Sequence, residues 1–126
     1  LMPLAEKGNA VAQYFLGIML LSPIDETIEI NKERGLMYVK LAAQNKHIPA
    51  LEYLGNLFAY SDLVEVNPQI SHSYFYLVAL KQNSTDIGYH QIIEDEFNLS
   101  KGEIIESMER ATECIEKTFY NCYLFN

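Results

Sequence analysis

The sequence Ala50-Leu51-Glu52-Tyr53-Leu54-Gly55 repeats the pattern of Ala12-Gln13-Tyr14-Phe15-Leu16-Gly17, which stands 38 residues earlier in the chain. A second pair of segments keeps this offset, because Leu36-Met37-Tyr38-Val39 is followed 38 residues later by Tyr74-Phe75-Tyr76-Leu77. A fixed period of about 20–50 residues indicates a repeat protein, in which each repeat is one supersecondary element that packs on its neighbours. The period therefore predicts successive repeats of similar local structure.

The composition is that of a folded, acidic protein. Hydrophobic residues make up 49% and charged residues 21% of the 126 residues, which excludes a disordered chain and fits one domain. The net charge of −8 is repelled by phosphate, so we expect no nucleic-acid binding and a basic protein as the electrostatically favoured partner. No apolar run reaches the roughly 18 residues of a membrane span, so no membrane insertion is expected.

Helix signals recur along the whole chain. Asn9 and Asn31 are typical N-cap residues, and Gly8 and Asn45 suit the left-handed position after a helix. No segment alternates with period two, so the predicted fold class is all-α. The predicted helices run over about 10–21, 32–44, 48–60, 70–81, 87–97 and 100–120, with a break at 22–25 and a turn and cap cluster at 83–86.

The last helix begins with Ser100-Lys101-Gly102-Glu103, which has the form of a capping box. If Cys114 and Cys122 both lie on this helix, about 12 Å separates them, which is too far for a disulfide. The spacing therefore favours two buried or half-buried thiols and leaves the redox compartment open. The apolar face predicted for this helix consists of Ile104, Met108, Ala111, Ile115, Phe119 and Cys122.

The segment Gly8-Asn9-Ala10-Val11-Ala12, followed by Leu16-Gly17, resembles the Gly-x-x-x-Ala-x-x-x-Leu-Gly core of the Sel-one-like repeat (SLR), a relative of the tetratricopeptide repeat. The core returns at Ala50, Leu54 and Gly55, with Asn45 in place of the opening glycine. A third repeat departs further, because Gly88 replaces the alanine and Ile92-Ile93 replaces Leu-Gly. The resemblance covers about residues 4 to 97.

This resemblance implies an α/α superhelix of antiparallel helix pairs in a single domain, residues 1–126. Its repeats would span about 9–45 and 46–83, with a degenerate repeat at 84–99 and a capping helix at 100–121. Because the chain begins at Leu1, on what reads as a helix tail, we expect it to be the C-terminal part of a longer protein.

The functions implied by the resemblance involve no catalysis. SLR proteins bind other proteins as adaptors, so the first hypothesis is a protein-binding module or scaffold that uses its concave groove. One alternative is an immunity protein that neutralises a secreted bacterial toxin, and another is an accessory repeat domain of an envelope assembly. The bacterial cytoplasm and the periplasm both remain open as compartments.

Two sets of residues are candidates for partner binding. In the first helix of the first repeat, the residues expected to face the core are Ala12, Phe15, Leu16, Met19 and Leu20. The residues on the opposite side, with their equivalents in the later repeats, are expected to line the groove. They are Tyr14, Ile18, Glu52, Asn56, His90 and Glu94. An ordinary solvated face with two apolar exceptions is the alternative interpretation.

The second set is an acidic ridge on the last helix. Glu106, Glu109, Glu113 and Glu116 recur at helical spacing, and the chain places them opposite the predicted apolar face. They form either a docking strip for a basic protein or the wet side of a capping helix.

The sequence carries no recognisable catalytic motif. It contains neither a nucleophile elbow, nor a P-loop, nor a dinucleotide-binding glycine pattern. His90 and Glu94 are four residues apart, but two side chains do not provide the three or four ligands of a metal site. We therefore expect no enzymatic activity, metal or cofactor.

Overall fold

The structure is a computed structural model that describes residues 2–22, 29–82, 88–117, 122 and 124. Within these residues every regular element is an α-helix, which confirms the predicted all-α class. None of the helices in this part of the chain is both long and apolar enough to cross a bilayer. The helices are α1 (Met2–Glu6), α2 (Ala10–Leu21), α3 (Lys32–Gln44), α4 (Ile48–Tyr60), α5 (Pro68–Gln82), α6 (Tyr89–Glu96) and α7 (Lys101–Glu116).

The chain divides into two compact parts, an N-terminal unit of Leu1–Ala50 and a C-terminal unit of Leu51–Asn126. The boundary falls within α4. The turn and cap cluster predicted at 83–86 and most of the break predicted at 22–25 lie outside the described residues.

The predicted N-caps are confirmed. The side chain of Asn9 accepts a hydrogen bond from the Ala12 N–H, and Asn31 accepts one from the Arg34 N–H. Each bond satisfies a donor that the first turn of a helix leaves without a partner. Ser100 and Glu103 form the predicted capping box at the start of α7, with the backbone N–H of each bonded to the side chain of the other.

One of the two predicted left-handed caps is wrong. Gly8 has a φ of 88°, as expected, but Asn45 has a φ of −85° and the left-handed position falls on Lys46 instead, with a φ of 66°. The amide of Asn45 donates to the Gln13 side chain at 3.0 Å, which holds Asn45 close to the end of α3. The turn therefore comes one residue later than the glycine pattern predicts.

In the N-terminal unit, Gly17 allows α2 and α3 to approach closely. A Cβ atom at this position would lie 2.6 Å from the Val39 side chain and 2.8 Å from the Gly35 carbonyl oxygen. Since real Cβ contacts are longer, any other residue would push the two helices apart. Beside this contact Ala5, Ala12 and Tyr38 form the buried core, with Leu16, Leu20 and Leu41 packed against it.

In the C-terminal unit, Gly55 has the corresponding role 38 residues later. A Cβ atom here would lie 2.8 Å from the Phe75 ring, and the Gly55 carbonyl accepts a 2.6 Å hydrogen bond from the Ser71 hydroxyl. Gly17 and Gly55 therefore each allow the first helix of a pair to pack closely against the second. The core next to this contact consists of Ala59, Phe75 and Ile93, with Phe97 and Leu99 at its edge.

The predicted buried face of α2 is partly wrong. Phe15 is half exposed, whereas Gln13 and Gly17 are buried together with Ala12 and Leu21. Apolar residues occur on nearly every side of this helix, so their spacing cannot define which side faces inward. The close contact at Gly17 defines it instead, and the buried Gln13 is satisfied by the Ala5 carbonyl and by Asn45.

The expected end of α7 is wrong, and its expected inward face is only partly right, since Ala111 is buried as predicted. The helix stops at Glu116, because Lys117 has a ψ of −129°, rather than continuing to about residue 120. Its buried residues are Ser107, Ala111 and Cys114, whereas Ile115 is 45% exposed. Phe119 lies outside the described residues.

Cys114 and Cys122 form a disulfide, so the expectation of two free thiols is wrong. A separation of about 12 Å holds only if both residues lie on one helix. Because α7 ends at Glu116, Cys122 is not on it, and the two Cα atoms lie 4.9 Å apart, within the range of disulfides. Both cysteines are buried, and near them the Tyr74 hydroxyl donates to the Leu124 carbonyl at 2.7 Å.

Candidate functional site

The groove residues of the N-terminal unit are only partly accessible. Tyr14 and Ile18 are both half-buried, and the Tyr14 ring lies 5.0 Å from the ring of His47. Tyr14 also contacts the exposed Phe15, with ring centroids 5.5 Å apart. Phe15, which the sequence pattern places in the core, is therefore more open to a partner than either predicted residue.

The groove residues on α4 occupy one side of the helix. Glu52 is half-buried, and Asn56 is exposed with its side-chain amide bonded to the Glu52 carbonyl at 3.2 Å. These residues are placed much as the helical spacing predicts. Nothing in their contacts identifies a ligand.

The prediction that His90 and Glu94 point away from the core to line the groove is wrong for His90 and holds only in part for Glu94. His90 is only 8% exposed, and its ring packs edge-on against His72 and Tyr76, at centroid distances of 5.7 and 5.2 Å. Glu94 is half-buried and accepts from the His72 Nε2 at 2.8 Å. The predicted third repeat departs furthest from the SLR pattern in sequence, and α6 turns His90 and Ile93 inward.

A buried polar network joins α5, α6 and α7 inside the C-terminal unit. The His72 Nδ1 lies 2.6 Å from the Ser107 Oγ, and this hydroxyl lies 2.7 Å from the Ser73 Oγ. The Gln69 and Ser107 carbonyls lie within hydrogen-bond distance of these hydroxyls and are alternative acceptors for them. Every side-chain polar atom of His72, Ser73 and Ser107 therefore has a hydrogen-bond partner, which burial requires.

Ser107, His72 and Glu94 are hydrogen-bonded in series, as the serine, histidine and acid of a catalytic triad are. Unlike a catalytic triad, they are not accessible to a substrate. Ser107 and His72 are fully buried, so no substrate reaches the hydroxyl. A nucleophile must lie within reach of the atom that it attacks. Among the described residues, no group of histidines, cysteines and acids is arranged to hold a metal ion. The network is therefore best explained as a structural link between three helices.

His90 has one polar atom that the network leaves without a partner. Among the described residues its Nδ1 is the buried side-chain atom that makes no hydrogen bond. Burial lowers the pKa of His90, and the nearby His72 lowers it further, while the charge of Glu94 acts in the opposite direction. Low pH therefore works against the burial of this ring.

The acidic ridge of α7 lies on the outward side of the helix, as predicted. Glu106, Glu109 and Glu116 are exposed and Glu113 is half-buried. Glu106 pairs with Arg110 at 2.6 Å, and Glu113 lies 3.7 Å from Lys117. Such exposed ion pairs contribute little to stability, and the two cations offset part of the negative charge of the ridge.

A groove of about 480 Å³ runs beside this ridge. Ile105, Met108 and Thr112 provide its apolar side, and Ile105 is 56% exposed. The hydroxyl of Thr112 donates to the Met108 carbonyl within α7 and is therefore satisfied. The remaining described residues that line the groove are Glu109, Glu113, Glu116 and Lys117.

Sequence periodicity identified the acids of this groove but not its apolar side. The sequence pattern places Met108 on the face towards the core, and it gives no functional role to Ile105. The signal that points to Ile105 is its position four residues before Glu109 and eleven before Glu116, on the same side of the helix.

Sequence reasoning also missed an exposed aromatic pair in the C-terminal unit. Tyr60 and Tyr89 are 53% and 59% exposed. The Tyr60 hydroxyl donates to Glu96 at 2.5 Å, and this bond raises the pKa of Tyr60 to about 12.

Comparison of the chain with protein-family models, with curated proteins and with solved structures found no match. The structure defines an all-α protein with two glycine-packed helix pairs. The resemblance to the SLR pattern rests on the residues quoted above.

Proposed function

We propose that this chain is a non-catalytic protein-binding module, and that the groove of α7 binds a basic, amphipathic segment of another protein. The observation that carries the proposal is the pairing of two parallel rows on one helix. An apolar row contains Ile105, Met108 and Thr112, and an acidic row contains Glu109 and Glu116. An amphipathic helix matches such a surface, because its apolar residues fill the groove while flanking lysines or arginines meet the acids.

The spacing of the acidic row suits a helical partner. Glu109 and Glu116 are seven residues apart, which corresponds to about 10.5 Å along α7. Basic residues seven positions apart on a partner helix have the same separation. The net charge of −8 adds a long-range attraction that accelerates the encounter with a basic partner.

The absence of catalysis in this proposal is supported by burial. The Ser107 hydroxyl is buried and does not contact solvent. It is hydrogen-bonded to His72, which in turn is hydrogen-bonded to the Glu94 carboxylate. The groove of α7 itself contains acids, one lysine and apolar groups, but no histidine, cysteine or serine among its described lining residues.

A synthetic helical peptide with a leucine face and flanking lysines tests the proposal. We expect it to bind, measured by fluorescence anisotropy, with a Kd that rises with salt concentration. The combined changes Glu109→Gln, Glu113→Gln and Glu116→Gln should weaken binding about tenfold, since each exposed pair contributes about 0.2–1 kcal/mol. Ile105→Ala should weaken it further through lost apolar contact.

The matched control removes the same charge elsewhere. Glu6→Gln, Glu33→Gln and Glu65→Gln change three exposed acids outside α7. Equal weakening by both triple variants would show that net charge alone attracts the peptide, and the proposed site would be wrong. Tyr14→Ala and Glu52→Ala test the predicted groove of the first helices in the same assay. If only these two changes weakened binding, the peptide would bind that groove and not α7.

The immunity role is a narrower form of this function. The acidic ridge and the net charge favour a basic toxin as the partner, because acids on an inhibitor suit a basic active site. A cognate toxin that is inhibited by the wild-type chain, but not by the α7 triple variant, would establish this role. Binding without inhibition would favour an adaptor or an accessory domain.

A further inference from the structure

An exposed stripe on α6 lies outside the α7 groove and has a different chemistry. Tyr89, Ile92 and Glu96 follow each other at spacings of three and four residues, so they share one side of the helix. Tyr89 is 59% exposed and Ile92 46% exposed. Tyr60, at the end of α4, joins the stripe through its hydrogen bond to Glu96.

The two tyrosine rings of this stripe are held in place by phenylalanine rings of the core. The Tyr60 ring lies 6.1 Å from Phe97, and the Tyr89 ring lies 5.5 Å from Phe75. Phe75 is buried in the core of the C-terminal unit, and Phe97 packs against that core. The exposed aromatic surfaces are therefore preorganised, which lowers the entropy that a partner must remove on binding.

We propose that the stripe of Tyr60, Tyr89, Ile92 and Glu96 is a second docking surface, which binds an arginine-bearing segment of a protein partner. A guanidinium stacks on tyrosine rings and pairs with carboxylates, and the stripe offers both groups together with the adjacent exposed Asp95. Ile92 provides an apolar contact for the methylene groups of the arginine side chain.

Other occupants fit the stripe less well. A purely apolar partner would remove Glu96 and Asp95 from water without a compensating charge. A second copy of this chain also carries a net charge of −8, so two copies repel each other. A cationic segment satisfies the rings and the acids at the same time.

Titration with a hexa-arginine peptide at fixed ionic strength, followed by NMR of the tyrosine rings, tests this inference. Because the α7 ridge also attracts cations, the protein used carries Glu106→Gln, Glu109→Gln, Glu113→Gln and Glu116→Gln. We expect the ring resonances of Tyr60 and Tyr89 to shift and saturate. Adding Tyr60→Leu and Tyr89→Leu should weaken binding about tenfold, since both aromatic faces that attract the guanidinium groups are lost.

Leucine keeps the apolar bulk, so the double change removes the aromatic faces while circular dichroism checks that the helices remain. Phe15→Leu, at an exposed aromatic residue of the N-terminal unit, is the matched control and should leave binding unchanged. Unchanged affinity of the double leucine variant would overturn the inference, as would equal binding of a hexa-citrulline peptide. A dimer in sedimentation that dissociates on Tyr60→Leu would identify a second copy as the occupant and also overturn it. Because the ridge is neutralised, these outcomes are independent of the proposed α7 site.

Discussion

At the scale of single residues, hydrogen bonding explains how polar side chains of α5 and α7 can be buried in the C-terminal unit. His72, Ser73 and Ser107 are fully buried although they are polar, because each finds partners across α5 and α7. A buried polar atom with a partner costs little, whereas one without a partner costs about 1–3 kcal/mol. A count of apolar residues therefore misses Ser107 on the buried side of α7.

His90 makes the stability of the protein depend on pH. Its pKa is lowered below the ordinary value of 6.5, so below pH 6.5 the unfolded chain binds more protons than the folded one. The contribution of neutral His90 to the free energy of unfolding is therefore present above pH 6.5 and is lost as the pH falls towards the lowered pKa. His90→Phe keeps an aromatic ring but does not titrate, so the urea midpoint of this variant should fall less between about pH 7 and pH 5. Identical pH dependence of the variant and the wild type would contradict this prediction, since His72 and Glu94 remain in both.

Leu54 tests the core of the second repeat. It is fully buried, so Leu54→Ala should lower the free energy of unfolding by about 2–5 kcal/mol through lost burial and a cavity. Leu80→Ala, at an exposed leucine of the same unit, is the control and should change stability by about 0.5 kcal/mol or less. Equal losses in chemical denaturation would mean that Leu54 is not in a packed core.

At the scale of elements, α7 serves two purposes with its two sides. Ser107, Ala111 and Cys114 attach it to the rest of the C-terminal unit, and the opposite side carries the apolar and acidic rows. A surface on a helix that is anchored in this way keeps its side chains at fixed spacing. This rigidity is what a docking site for a helical partner requires.

The capping box at the start of α7 is a testable part of this anchoring. Ser100→Ala should lower the free energy of unfolding by about 1 kcal/mol, because the Glu103 N–H loses its acceptor. Lys101→Ala changes the neighbouring exposed residue without touching the cap and should be nearly neutral. Thermal unfolding of both variants gives the comparison, and similar melting temperatures would argue against the cap.

At the scale of the whole molecule, the disulfide ties the end of the chain back to α7. Cys114 and Cys122 are eight residues apart in sequence, so the bond closes a short loop and stabilises the fold by restricting the unfolded chain. Disulfides persist in oxidising compartments.

Replacing both cysteines measures this contribution. Cys114→Ala together with Cys122→Ala should lower the free energy of unfolding by about 2–3 kcal/mol, from the entropy of closing a loop of this length. Wild-type protein in excess reductant is the matched comparison and should lose a similar amount. A melting temperature that is insensitive to reductant would show that the bond does not stabilise the folded chain.

Local signals in the sequence were sufficient for the helices and for most of their ends. Asn9, Asn31 and Ser100 cap the helices that they were predicted to cap, because capping depends only on the next three residues. The acids of α7 were found for the same reason, since helical spacing alone places them on one side. The exposed rings of Tyr60 and Tyr89 were not found, because the two residues are 29 positions apart, and only the tertiary structure shows that Tyr60 bonds to Glu96 on the helix that carries Tyr89.

The sequence by itself determined an acidic, all-α protein, the 38-residue period and the positions where glycine is needed. The tertiary structure decided which side of α2, α6 and α7 is buried, that His90 faces inward, and that Cys114 meets Cys122. The physical reason is that periodicity reports the average polarity of a helix side. Burial is set instead by specific partners, such as Val39 for Gly17 and His72 for Ser107, which come from distant parts of the chain.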